Sequence, residues 1–175
     1  MSPEPPEESL RSLATSLALL WLYGASLRLT VLAVPPVIPG IHESLSLTQA
    51  AVGALTTLPV LMFSLMALPG AVLIARFGAA RVLALGLALA AFASAARGFA
   101  PGTATLFAAT FFMGMGIAFM QPALPTIVRT RLPARIALGT TVYSNGLLVG
   151  EALPASLTLP FVLPALDGSW RASLV

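Results

Sequence analysis

Arg28 is the single charged side chain in an apolar run from Leu13 to Pro39 that is long enough to cross a bilayer. An ionised group at membrane depth is expensive unless it faces protein or a water-filled cavity, so it is a candidate for contact with a ligand. At about 1.5 Å of rise per residue, Arg28 lies about 22 Å beyond Leu13. Glu151 lies about 21 Å beyond Ala137, on a helix expected to cross in the same direction. Opposite charges at matching depth leave three readings open: a pair lining a cavity that opens to capture an anion, a purely structural ion pair, or, for Arg28 alone, snorkelling to the outer headgroups. Glu151 in an apolar setting is also a candidate proton carrier.

Two amides repeat the pattern. Gln121 and Asn145 each sit about 10 to 12 Å from the same end of their helices. They either hydrogen-bond across a helix pair or line the inner part of a solute pathway. These four residues, Arg28, Glu151, Gln121 and Asn145, form the candidate substrate-binding set.

Other chemistries are excluded by composition. The chain has no cysteine and one histidine, His42, which removes thiolate nucleophiles, disulfides and two-histidine zinc motifs. Met113, Met115 and Met120 have no histidine or cysteine companion, so they read as adaptable core. No Ser/His dyad or paired intramembrane aspartates are present, so no catalytic residue, metal ligand or cofactor is expected. The nine arginines against six acids do not form a basic stripe with interleaved aromatics, and no nucleic-acid partner is expected.

The elements that must position the four residues are membrane helices. With 58% hydrophobic and 9% charged residues in 175, the chain has too little polarity to solvate a globular surface of its size. The expected fold is an all-α polytopic bundle with spans at about 13–36, 49–75, 82–96, 105–128 and 137–162, preceded by an acidic, Pro-rich segment 1–12. Pro35, Pro36 and Pro39 are expected to stop the first helix, and a polar connection is expected from Gly40 to Gln49. Thr48 is expected to cap the second helix, with kinks at Pro59 and Pro69. Gly146 and Gly150, four apart on the fifth span, allow close helix approach. Ala172 to Val175 reads as the start of a sixth span.

Counting arginines sets the topology. With the N-terminus inside, Arg11, Arg76, Arg81, Arg129, Arg131 and Arg135 are cytoplasmic, whereas Arg97 and Arg171 are outside. Between the second and third spans, Gly78 permits a tight reversal while Arg76 and Arg81 anchor both helix ends.

That turn, through Leu73, Arg76, Gly78 and Arg81, resembles the loop Gly-x-Leu-x-Asp-Arg-x-Gly-Arg-Arg of the major facilitator superfamily, with Ala71 and Ala75 standing where the family has Gly and Asp. The fifth span lacks the family's Gly-Pro core. Within the superfamily, Ser26-Leu27-Arg28 with the exit Val34-Pro35-Pro36-Val37-Ile38-Pro39, and Gly168-Ser169-Trp170-Arg171 before a sixth helix, are similar to the cyanate and nitroimidazole permease group. The resemblance runs from about Leu19 to Arg171 and implies just under half of a twelve-helix secondary transporter of the bacterial inner membrane. Its partners would be the lipid bilayer, a small anionic or polar solute, and a second transporter half against which it rocks. The alternative is a membrane structural or assembly subunit in which Arg28 and Glu151 only hold helices together.

Overall fold

The computed structural model describes residues 6–174, and every regular element among them is helical. Helix α1 spans Pro6–Leu32, so it begins well ahead of Leu13 and ends before Pro35. Pro35 has no N–H to donate to Val31, and its ring crowds that carbonyl, which accounts for the early end. Contrary to expectation, the prolines then start helices. Pro35 stands in the first turn of a 3-10 segment, Pro35–Val37, and Pro39 in the first turn of α2, Ile38–Leu45. A missing N–H breaks no intrahelical bond there. Most of the expected polar connection is thus short helix, closed by Ser46 in the left-handed conformation.

Thr48 caps α3, Gln49–Leu65, its Oγ1 accepting from the Ala51 N–H at 3.2 Å. Helix α4, Ala67–Phe77, follows at a bend of 51°. Pro69 cannot donate to the Leu65 carbonyl, and the break falls at Met66 between them. Pro59, expected to kink the span, lies inside unbroken α3.

The turn to α5, Ala79–Gly98, is a single residue, Gly78, at φ 85° and ψ 148°. Essentially only glycine adopts that backbone, so α4 and α5 can reverse there. Ala79 and Ala80 fill the two positions after Gly78, and Arg81 follows within α5. Helix α6, Thr103–Arg131, runs through Pro122 and Pro125 without a break. Helix α7, Ile136–Leu157, passes into a π-helical turn, Thr158–Val162, around Pro160, and then into α8, Leu163–Ala165. Asp167 and Gly168, both at positive φ, turn the chain back.

Two helix pairs carry most of the packing, α5 with α6 and α1 with α7, while α6 also meets α1, α3, α4 and α7. Both pairs close on glycine. A Cβ on Gly86 would lie 2.6 Å from the Gly116 carbonyl, and added carbons on Gly146 and Gly150 would run into the carbonyls of Trp21 and Ala25. The close approach expected of Gly146 and Gly150 is therefore observed, and Gly24 completes it against the Tyr143 carbonyl. Without a hydrophobic drive between helices in lipid, such backbone contact is a main source of cohesion.

One buried cluster fills the bundle around Leu27, Leu83, Met113, Ile117, Met120 and Leu124. A second closes one end around Val37, Ile41, Leu55, Leu106 and Trp170. Of the methionines expected to be core, Met113 and Met120 are in the first, whereas Met115 is half-buried and belongs to neither. Outward, Leu68 and Phe92 are 80% and 78% exposed, an apolar exterior suited to lipid. Among the described residues four helical stretches are long and apolar enough to span a membrane, or five if the bent α3–α4 pair is one span. The chain is an integral membrane bundle.

Candidate functional site

Arg28 lies three residues beyond Ala25, whose carbonyl meets Gly150, so the tight α1–α7 seam places the guanidinium beside α7. There it lines a cavity of about 210 Å³ with Leu27, Gln121, Leu124, Pro125, Tyr143 and Leu147. The cavity sits among α1, α6 and α7. Arg28 is half-buried. Arg28, Gln121 and Tyr143 therefore line a space walled otherwise by apolar residues.

Glu151 is not part of this cavity. It is exposed, it is absent from the walls around Arg28, and no salt bridge joins the two. The expected ion pair fails because matched depth is not matched azimuth. Glu151 follows Gly150, and one residue is about 100° of helix rotation, which turns the carboxylate away from the face against Ala25.

The two amides also part company. Asn145 Oδ1 accepts the indole N–H of Trp21 at 2.9 Å, tying α7 to α1. Gln121 is exposed on α6 and reaches the Arg28 cavity instead. Of the four residues, the structure thus brings together Arg28 and Gln121, and adds Tyr143. Tyr143 was legible in principle as a lone phenol four residues before Leu147 on the face that carries Gly146, but depth arguments favour charges and amides and pass over it.

Leu73, Arg76, Gly78 and Arg81 occupy the α4–α5 reversal, with the Arg76 guanidinium 5.4 Å from the Phe77 ring centre and both arginines exposed. A larger cavity, about 650 Å³, opens at this end among Ser16, Leu20, Tyr23, Ile74, Arg81 and Arg131. Beside its apolar residues the lining holds half-buried Ser16, Tyr23 and Thr126 and exposed Arg81, Thr130 and Arg131. Its lining shows that the start of α1, the α4–α5 turn and the end of α6 share one end of the bundle.

Arg97, counted among the outer arginines, is fully buried, with one terminal nitrogen against the Met113 sulfur. At the same end Trp170 is 5% exposed, donates to the Ser44 hydroxyl at 2.9 Å and carries the Arg171 guanidinium 4.3 Å above its ring.

A bundle of this topology with a polar cavity on its first helix can be compared with known families. The Major Facilitator Superfamily model matches residues 20–174. The chain belongs to the Major Facilitator Superfamily. Among its relatives, a 2-nitroimidazole transporter of Escherichia coli (strain K12) is 33% identical over 88% of this chain and 38% of its own length. The cyanate transport protein CynX of the same organism is 28% identical over 81% of this chain and 37% of its own length. An uncharacterized transporter, YycB, of Bacillus subtilis (strain 168) is 27% identical over 99% of this chain and 42% of its own length. The chain thus spans about two fifths of the length of the curated relatives it matches. No solved structure gives a significant match.

Proposed function

We propose that this chain is the N-terminal bundle of a secondary transporter that takes up a small anionic or polar solute at the Arg28 cavity. The observation that carries the reading is the convergence of Arg28, Gln121 and Tyr143 on one cavity inside a superfamily bundle. A guanidinium offers fixed donors to an anion, and an amide and a phenol add one direction each. The relatives named for cyanate and 2-nitroimidazole point to the same size and polarity of solute. Flux requires the site to face each side in turn, which in this superfamily means rocking against a second half.

The membrane is proposed to be the bacterial inner membrane, with the N-terminus cytoplasmic. Arg11, Arg76, Arg81, Arg129, Arg131 and Arg135 favour the cytoplasmic side, and the shared cavity at the α4–α5 end supports their lying together. The proposed function is transport, as the transporter names of the relatives support.

Proteoliposomes test the reading. The purified chain is expected to bind cyanate, to lose that binding on Arg28→Gln, and to carry no net flux unaided. Flux through the chain alone contradicts the half-bundle, and full binding by Arg28→Gln contradicts the site. The structural-subunit alternative predicts that Arg28→Gln changes stability and no binding.

A further inference from the structure

Arg97 is the largest fully buried side chain in the molecule, and the site at Arg28 makes no use of it. It sits one residue from the C-terminal end of α5, and its side chain enters the packing between α5 and α6. Nη1 is spent on the Met113 thioether, a weak acceptor. Nε and Nη2 have no hydrogen-bond partner among the described residues. The nearby hydroxyls are directed elsewhere: Ser94, one turn earlier on α5, donates to the Leu174 carbonyl at 3.2 Å, and Thr110, one turn earlier than Met113, donates to the Leu106 carbonyl at 2.8 Å. The carboxylates of Glu43, Glu151 and Asp167 are all exposed.

Which nitrogens lack partners matters. Nε–H and Nη2–H lie parallel on one edge of the guanidinium, the edge that grips two oxygens of a carboxylate or oxyanion side-on. A buried guanidinium with that whole edge unmatched is strongly disfavoured, whereas the same edge on a two-oxygen anion makes a charge-assisted fork. Met113, its one hydrogen-bond partner among the described residues, has a flexible side chain able to give way.

We infer that Arg97 is a second anion site, at the outer end of the α5–α6 pair and separate from Arg28, which holds a two-oxygen anion on its Nε/Nη2 edge. A diffusible formate-like or nitrate-like ion supplies that chemistry, as does a carboxylate delivered by a second copy of the chain.

The test is the melting temperature of the purified chain in detergent, in formate against chloride at equal ionic strength, for the parent chain, Arg28→Gln, Arg97→Met and Arg97→Lys. A diffusible anion predicts a saturable rise with formate and not chloride that persists in Arg28→Gln and is smaller in Arg97→Met, which keeps only the Arg28 site. A delivered carboxylate predicts a rise with protein concentration at fixed salt, lost in Arg97→Met. Arg97→Lys keeps the charge but not the fork, so its apparent affinity for formate falls roughly tenfold or more. That variant decides the matter if Arg97→Met does not fold. Melting of the parent that responds to neither formate nor protein concentration, or an unchanged response in Arg97→Lys, overturns the inference. Because Arg28→Gln keeps the response, its outcome is independent of the transport reading.

Discussion

Trp21 Nε1 donates to Asn145 Oδ1 at 2.9 Å across the seam where the α1 and α7 backbones touch through Gly24, Gly146 and Gly150. The bond fixes the register of the helix that carries Arg28 against the helix that carries Tyr143. In membranes such bonds average about 0.6 kcal/mol and reach about 1.7 kcal/mol. A double-mutant cycle of Trp21→Phe and Asn145→Leu, read by reversible unfolding in mixed micelles, is expected to give a coupling in that range.

The seam itself is worth more. Gly150→Ala places a methyl on the Ala25 carbonyl and forces the helices apart, with an expected loss of about 1–3 kcal/mol. Gly53→Ala adds a methyl where nothing lies within 4 Å and should leave stability unchanged or slightly raised. Thermal unfolding of the two single variants beside the parent checks the difference.

Gly78 stands at a backbone angle closed to other residues. Gly78→Ala is expected to cost about 1–3 kcal/mol, or to shift the α4–α5 reversal by a residue. Proteolysis at the turn measures this: the variant should be cut faster than the parent under native conditions.

At the other end, Trp170 joins α2 to the chain beyond α8. Trp170→Ala removes its bond to Ser44 and the ring packed on Gly40. A loss of about 3–5 kcal/mol is expected for a buried tryptophan, seen as a fall in melting temperature, while Trp170→Phe should retain most of the packing.

The membrane class, the five spans, the Thr48 cap and the glycine contact of α7 were legible because length, composition and i, i+4 spacing determine them locally. The Arg28–Glu151 pair was misread because depth along a helix follows from counting residues, whereas azimuth depends on which face the neighbour takes. Gly150 takes that face and leaves Glu151 outside. The burial of Arg97 is not legible from charge counting, because it depends on the helix beside it, where the side chain turns inward to Met113. Pro35 and Pro39 read as stops in the sequence, yet a residue that ends one helix is equally suited to the first turn of the next. Tyr143 and the cavity itself arise only when three helices meet.

Equilibrium dialysis of labelled nitrate against the purified chain tests the central claim, that Arg28 serves a solute cavity, most directly. The parent should bind saturably, and Arg28→Gln should lose affinity at that site on the order of tenfold or more, as the loss of charge-assisted hydrogen bonds requires. Arg97→Met should leave the Arg28 site occupied. Binding by Arg28→Gln that matches the parent in both affinity and stoichiometry would contradict the account.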